Sequence, residues 1–315
     1  MAKLKIISFN CQSFESNFEI VREVIRSCDI LLLQETFLTE NFSDKLQKLG
    51  DEFEFLATPA TRNPLCFTGR ASGGLAFIYK KTYSQFIVPL FHSSRIMGIY
   101  LKFPNANFLL LNVYLPCDYG NTESICSYRS SLAELSVICN MGNFDELFIA
   151  GDFNCDPNKG RFYRELNDLN STHSLFISDV MNLPADSFTY MSSNSTCSTS
   201  WLDHIVTSKL DLVQVINILY GVKLDDHIPI SFSLRVGTID SPPIQPEIDL
   251  KNKGFYINWD KVMDDDISLY KLKLDYFISD IDNEGICCSN VGCSDINHIS
   301  QLEQSYNEMI YCILE

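Results

Sequence analysis

Glu146-Leu147-Phe148-Ile149-Ala150-Gly151-Asp152-Phe153-Asn154 is the stretch on which the fold turns. Leu147 to Ala150 is a short apolar run that reads as a strand. The glycine ends the run. Asp152 and Asn154 follow two residues apart, which puts them on one face of an extended chain. Alone, a glycine–aspartate pair is most often a turn. The same pattern of apolar run and polar terminus, however, recurs along the chain. Leu4 to Phe9 leads into Asn10-Cys11-Gln12, Ile30 to Leu33 into Gln34-Glu35-Thr36, and Phe108 to Tyr114 ends on Asn112-Val113-Tyr114-Leu115-Pro116. Further on, Trp201-Leu202-Asp203-His204 opens the run to Val206, and Asp225-Asp226-His227 precedes Ile228 to Leu234. Strands that end in polar groups deliver distant residues to one rim, where ligands bind.

Between the runs the period changes. Phe18, Val21, Val24, Ile25 and Cys28 recur at helical spacing, as do Ile125, Tyr128, Leu132, Leu135 and Ile138, and then Phe162, Leu166 and Leu169. Gly73-Gly74 turns into a strand at Leu75 to Tyr79, and Leu212 to Leu219 is one more. Strands with interspersed helices predict a layered α/β architecture. Ser241-Pro242-Pro243 and Pro246 break the pattern, which divides the chain into a domain over 1–236, a proline-containing linker over 237–254 and an acidic, mainly helical tail over 255–315.

Composition narrows the classes. The chain has 315 residues, 46% of them hydrophobic, enough to build a core. Net charge is −16, of which −10 falls in residues 238–315. That balance argues against a protein that coats DNA by charge alone, yet it leaves the first 237 residues only mildly acidic. The opening residues lack a signal-peptide pattern and no apolar run approaches the roughly 18 residues of a membrane span, so an intracellular protein, nuclear or cytoplasmic and not secreted, is expected. In that setting the 12 cysteines read as thiols. Cys11, Cys28, Cys139 and Cys155 sit in apolar segments as small hydrophobes, and Cys287, Cys288, Cys293 and His298 fit no standard zinc spacing.

The polar termini hold what phosphodiester hydrolysis needs. Mg²⁺ takes oxygen ligands and keeps several waters, so one or two carboxylates suffice. Glu35 is the first candidate ligand, supported by Asp226 and the amide of Asn10. Asp152 is the candidate base that takes a proton from water, and Asn154 a group to hold a phosphate oxygen or the attacking water. His227 can stabilise the transition state, oriented by Asp203. Tyr114 offers a phenol hydrogen bond. Lys159, Arg161 and Arg164, just after the opening stretch, are candidate phosphate contacts or equally a solvated helix face.

Taken in order, these segments resemble the endonuclease/exonuclease/phosphatase superfamily, the DNase I-like fold, over residues 1 to about 236. The resemblance is strongest to the endonuclease domain of non-LTR retrotransposons and to apurinic/apyrimidinic endonucleases. It implies a four-layered α/β (α+β) sandwich of two mainly antiparallel sheets flanked by helices, with the site at one end and a short helical C-terminal tail beyond. By the same resemblance Asn10, Glu35, Tyr114, Asp152, Asn154, Asp203, Asp226 and His227 match family site positions, and Thr189 matches a substrate-contacting threonine. It further implies Mg²⁺, with Mn²⁺ able to substitute, and a DNA endonuclease that nicks one strand to leave a 3′-hydroxyl, as in target-primed retrotransposition, with DNA as partner and no membrane. Gln12 and Asp225 depart from the family pattern. Residues 255–315 resemble the connector to a reverse transcriptase. Two other readings compete: a phosphatase or sphingomyelinase of the same superfamily, since Trp201-Leu202-Asp203 distantly resembles a segment of inositol-polyphosphate phosphatases, and a non-catalytic mobile-element remnant that only binds.

Overall fold

The computed structural model describes residues 2–39, 42–61, 71–192, 198–222 and 226–236, and the statements below concern those residues. The linker, the acidic tail with its cysteines, and Asp225 lie outside them. In chain order the strands are β1 (Ala2–Asn10), β2 (Ile30–Gln34), β3 (Phe53–Thr58), β4 (Leu75–Lys80), β5 (Ile87–His92), β6 (Ile96–Phe103), β7 (Ala106–Tyr114) and β8 (Glu146–Asp152). They continue with β9 (Phe176–Ile177), β10 (Tyr190–Met191), β11 (Thr199–Ser200), β12 (Asp203–Thr207), β13 (Val213–Ile218) and β14 (Ile230–Val236). The helices are α1 (Phe18–Arg26), α2 (Ser43–Leu46), α3 (Thr122–Cys139), α4 (Phe162–His173) and α5 (Ser178–Asn182).

One six-stranded sheet has the order β13-β14-β1-β2-β4-β3, the other β5-β6-β7-β8-β12-β9. Each contains a single parallel pair, β1 with β2 and β7 with β8, and its other pairs are antiparallel. A parallel pair needs a crossover, which α1 supplies in the first sheet and α3 in the second. The mainly antiparallel expectation holds.

Strand alternation produces four layers. Leu4, Ile6, Ile30, Leu32, Leu75 and Phe77 point inward and pack against Ile99, Leu101, Phe108, Leu110, Phe148 and Ile205 of the second sheet. Their neighbours Ile7, Phe9, Leu31 and Leu33 point the other way, onto Val21, Val24 and Ile25 of α1. Leu109, Leu111, Leu147 and Ile149 do the same toward α3 and α4, where Tyr128 stacks on Phe162 with ring centroids 3.9 Å apart. Both faces of each sheet are therefore buried, which is why the strands read as unbroken apolar runs and not as alternating ones. α3 begins where Asn121 accepts a hydrogen bond from the Ser124 N–H at 2.8 Å, a side-chain N-cap. Cys11, Cys28 and Cys155 are buried as expected, whereas Cys139 is half-buried. None of the described helices is long and apolar enough to cross a membrane.

Candidate active site

Followed toward the rim, the inward-facing rows change from apolar to polar. The apolar row gives way to Ser8, Gln34 and Asn112, and the row above that to Asn10, Tyr114, Asp152 and Asp203. Register explains the meeting: Asn10 pairs with Gln34, Tyr114 with Asp152, and Asp203 with Asp152 across the antiparallel β8–β12 pair. Beneath the site, Gln34 Nε2 donates to Asn112 Oδ1 at 2.7 Å, and Asn112 Nδ2 donates to the carbonyls of Leu33 and Ala76, each at 3.0 Å. This buried amide pair ties the two sheets together immediately below the rim.

Asn10 links the two halves of the site. Its Nδ2 donates one hydrogen to Glu35 Oε1 at 2.8 Å and the other to Asp152 Oδ2 at 2.9 Å. Asp152, 1% exposed, also accepts the Asn154 N–H on Oδ1 at 2.9 Å. His227 Nε2 lies 3.8 Å from Asp152 Oδ2, and His227 Nδ1 lies 3.1 Å from Asp203 Oδ2. Burial drives the Asp152 carboxyl up to about 7, against the lowering influence of His227 and Asn10. Burial also opposes the charged imidazole, but the carboxylates of Asp203 and Asp152 outweigh it and raise His227. Tyr114 is raised far above the usual phenol range, by burial first and then by Glu35, to which its hydroxyl is hydrogen-bonded.

The loops at this rim are strained. Gln12, Ser13, Glu35, Phe37 and Asn154 have positive φ, five of the seven such non-glycine residues described. An L-residue adopts this conformation at a cost that the surroundings must hold in place, and such positions gather at functional sites. Gly151 has φ +152°, and a Cβ there would drive into the backbone of Val113 on the neighbouring strand. That close approach accounts for the glycine that precedes Asp152.

Thr189 sits differently from a substrate contact. It is wholly buried, and its Oγ1 accepts the N–H groups of Leu202 at 3.0 Å and Asp203 at 2.9 Å. Its place is under the site, where it aims Asp203. Thr189→Val should leave both N–H groups unpaired and cost about 2 kcal/mol in urea unfolding; an unchanged midpoint would contradict this. Asp226, one residue before His227 and partly buried, acts electrostatically on that imidazole and stands outside the compact group of Asp152, Asp203 and His227. Two of the three cations expected near phosphate are paired with acids: Arg161 with Asp118 at 2.7 Å and Lys159 with Asp156 at 3.5 Å. Among the described residues, Arg95 lies beside Tyr114, a cation that none of the motifs marks. Its guanidinium lies 5.1 Å from the Tyr114 ring centroid and donates to the Tyr114 carbonyl at 3.3 Å.

A second histidine–carboxylate pair, also unforeseen, lies below. His204 Nδ1 is 2.8 Å from Asp179 Oδ2, and its Nε2 is 2.7 Å from the Cys155 carbonyl. Alternation along β12 explains the divergence: Asp203 faces the site, and His204 faces α5.

A family model described as the Endonuclease/Exonuclease/phosphatase family matches residues 7–217. The chain belongs to this family. Endonuclease/exonuclease/phosphatase proteins are hydrolases of phosphate ester bonds, in keeping with the carboxylates and histidine at the rim. Among solved structures, the AP endonuclease LMAP from Leishmania major superposes with a TM-score of 0.59 at 16% identity, over 74% of this chain and 88% of that one. The 3′-5′ exonuclease NExo from Neisseria meningitidis gives 0.58 at 17%, over 74% and 100%. The endonuclease domain of TRAS1, a telomere-specific non-LTR retrotransposon, gives 0.54 at 14%, over 75% and 100%. These likenesses establish the DNase I-like sandwich. No curated protein sequence matches the chain.

The donor set fits a hard divalent cation. Glu35 is a half-buried carboxylate held by an amide and a phenol, and no described lysine or arginine pairs with it. Asp152, Asp203 and His227 also bring ligand atoms within 4.8 Å of one another. Both imidazole nitrogens there, however, already face carboxylates, and a nitrogen donor suits Mg²⁺ poorly.

Proposed function

We propose that this chain is a Mg²⁺-dependent phosphodiesterase that nicks one strand of DNA and leaves a 3′-hydroxyl. The observation that carries the reading is the Asp152 carboxylate. It is buried, shared between Asn10 and His227, and raised to about 7, where a carboxylate can accept a proton near neutral pH. Asp152 would take the proton of the attacking water. His227, kept cationic by Asp203, would face the charge that develops on the phosphoryl oxygens. The Tyr114 phenol, which keeps its proton, would redirect its hydrogen bond from Glu35 to the same group. Glu35, with Asn10 and Asp226 in support, would hold Mg²⁺ or Mn²⁺. Bound there, the cation supplies neutralisation of phosphate charge.

DNA as substrate rests on the neighbours' own descriptions: an AP endonuclease, a retrotransposon endonuclease domain, and NExo as a 3′ phosphatase bound to a product DNA hairpin. Residues 1–236 would constitute the nuclease domain, with the linker and acidic tail beyond it. The inositol-phosphatase alternative loses support because His204, in the place that an arginine would occupy, is turned away onto Asp179.

Metal titration tests the assignment of Glu35. Plasmid nicking should vanish with chelator and return with Mg²⁺ or Mn²⁺. Glu35→Gln should raise the Mg²⁺ concentration for half-maximal nicking by about tenfold or more, a loss of about 1.4 kcal/mol of binding. An unchanged Mg²⁺ requirement would remove Glu35 from the metal site, and release of inorganic phosphate from inositol phosphates without nicking would favour the phosphatase reading.

A further inference from the structure

Asn154 is held at both ends of its amide by the segment that leaves β7. Its Nδ2 donates to the Leu115 carbonyl at 2.8 Å, and the Cys117 thiol, 3.2 Å away, donates to its Oδ1. Leu115 N–H in turn donates to the Asp152 carbonyl at 2.9 Å, so the two segments are locked together at the backbone as well. Cys117 is half-buried and is itself hydrogen-bonded by the hydroxyl of Tyr119, a side chain at the surface with 78% exposure. The contact runs from an exposed phenol through the thiol to the amide beside Asp152.

We propose that Cys117 is a positioning residue, whose S–H holds the Asn154 amide so that one N–H is the donor left for substrate. The inventory of the amide supports this. It has two hydrogens and an oxygen with two lone pairs. One hydrogen is committed to Leu115 and one lone pair to the thiol, which fixes the amide's orientation and leaves an N–H as its one remaining donor, the group that suits an anionic phosphate oxygen. Burial, with Asp152 and Glu35 adding to it, pushes the thiol up to about 11, so Cys117 carries the proton that it must donate. The left-handed φ of Asn154, +49°, makes the anchorage matter, because the residue has no regular hydrogen-bond ladder to fix it.

The inference rests on the nuclease reading, and two measurements separate them. In plasmid nicking, Cys117→Ala should lower kcat about fivefold to tenfold, the worth of one hydrogen bond, with KM and melting temperature little changed. Cys117→Ser, which keeps a donor, should recover most of that loss. Equal kcat in the alanine variant, or a serine variant no better than alanine, would overturn the proposal. A crystal structure of Cys117→Ala should show the Asn154 amide turned away from Leu115 or in two orientations. An amide unmoved there would overturn it even if DNA is not the substrate, and a wild-type protein that nicks nothing would count against the nuclease reading alone.

Discussion

Asparagine in place of Asp152 is expected to slow turnover about 10³-fold while leaving the fold intact. The substitution keeps the shape but turns one of the two oxygens that accept the Asn10 amide and the Asn154 N–H into an NH₂, so a loss of about 1–3 kcal/mol in stability is expected alongside an intact fold. What it removes is the buried carboxylate that lies between the Asn10 amide and His227 Nε2. Asp203, equally buried, is already committed to His227, and Glu35 stands with Asn10 and Tyr114. No other described acid can replace the proton acceptor at that position. The measurement is single-turnover cleavage under saturating enzyme, which separates a lost chemical step from weakened DNA binding. A loss below tenfold would mean that Asp152 is structural.

Asp179→Ala is expected to have the largest effect on stability, about 3 to 5 kcal/mol in urea unfolding, because it strips the partner from a fully buried imidazole. Asp179 also accepts the Ile205 N–H at 2.7 Å, so a backbone group of β12 loses its acceptor as well. The pH dependence has a definite sign. Burial opposes charge on His204, but Asp179 prevails and raises its folded value above the unfolded one. Its contribution is therefore fully present below the unfolded value of about 6.5 and is lost as pH rises through the folded value. The gap between wild type and Asp179→Asn should be largest near pH 6 and should narrow in alkali. A gap that widens with pH would show that His204 is buried uncharged.

Much of this molecule could be read in the sequence because both sheet faces are covered. Unbroken apolar runs such as Ile30 to Leu33 and Leu147 to Ala150 admit few alternatives to buried strands, and polar residues at their ends had to lie at a rim. Less exclusive signals were missed. β3 and β5, interrupted by Glu54 and Pro89, lack a clean run, and β9 to β11 are two residues each. β6 was missed although Ile96 to Phe103 is largely apolar. Side-chain partners were the hardest to foresee. Arg161 reads as a free cation until α3 and α4 pack and bring Asp118 beside it. Thr189 reads as a substrate contact until the chain entering β12 comes to lie on its hydroxyl. Asp179 and His204 are 25 residues apart and meet only because α5 caps the outer face of β12. Arg95 carries no motif, and its place beside Tyr114 follows from the β6–β7 register alone.

The central claim is that the Asp152 centre cuts the DNA backbone. Supercoiled plasmid incubated with the full chain and Mg²⁺ should become open circles whose nicks a DNA polymerase extends directly, and Asp152→Asn should abolish the conversion. No open circles from wild type, or equal conversion by the variant, would contradict it.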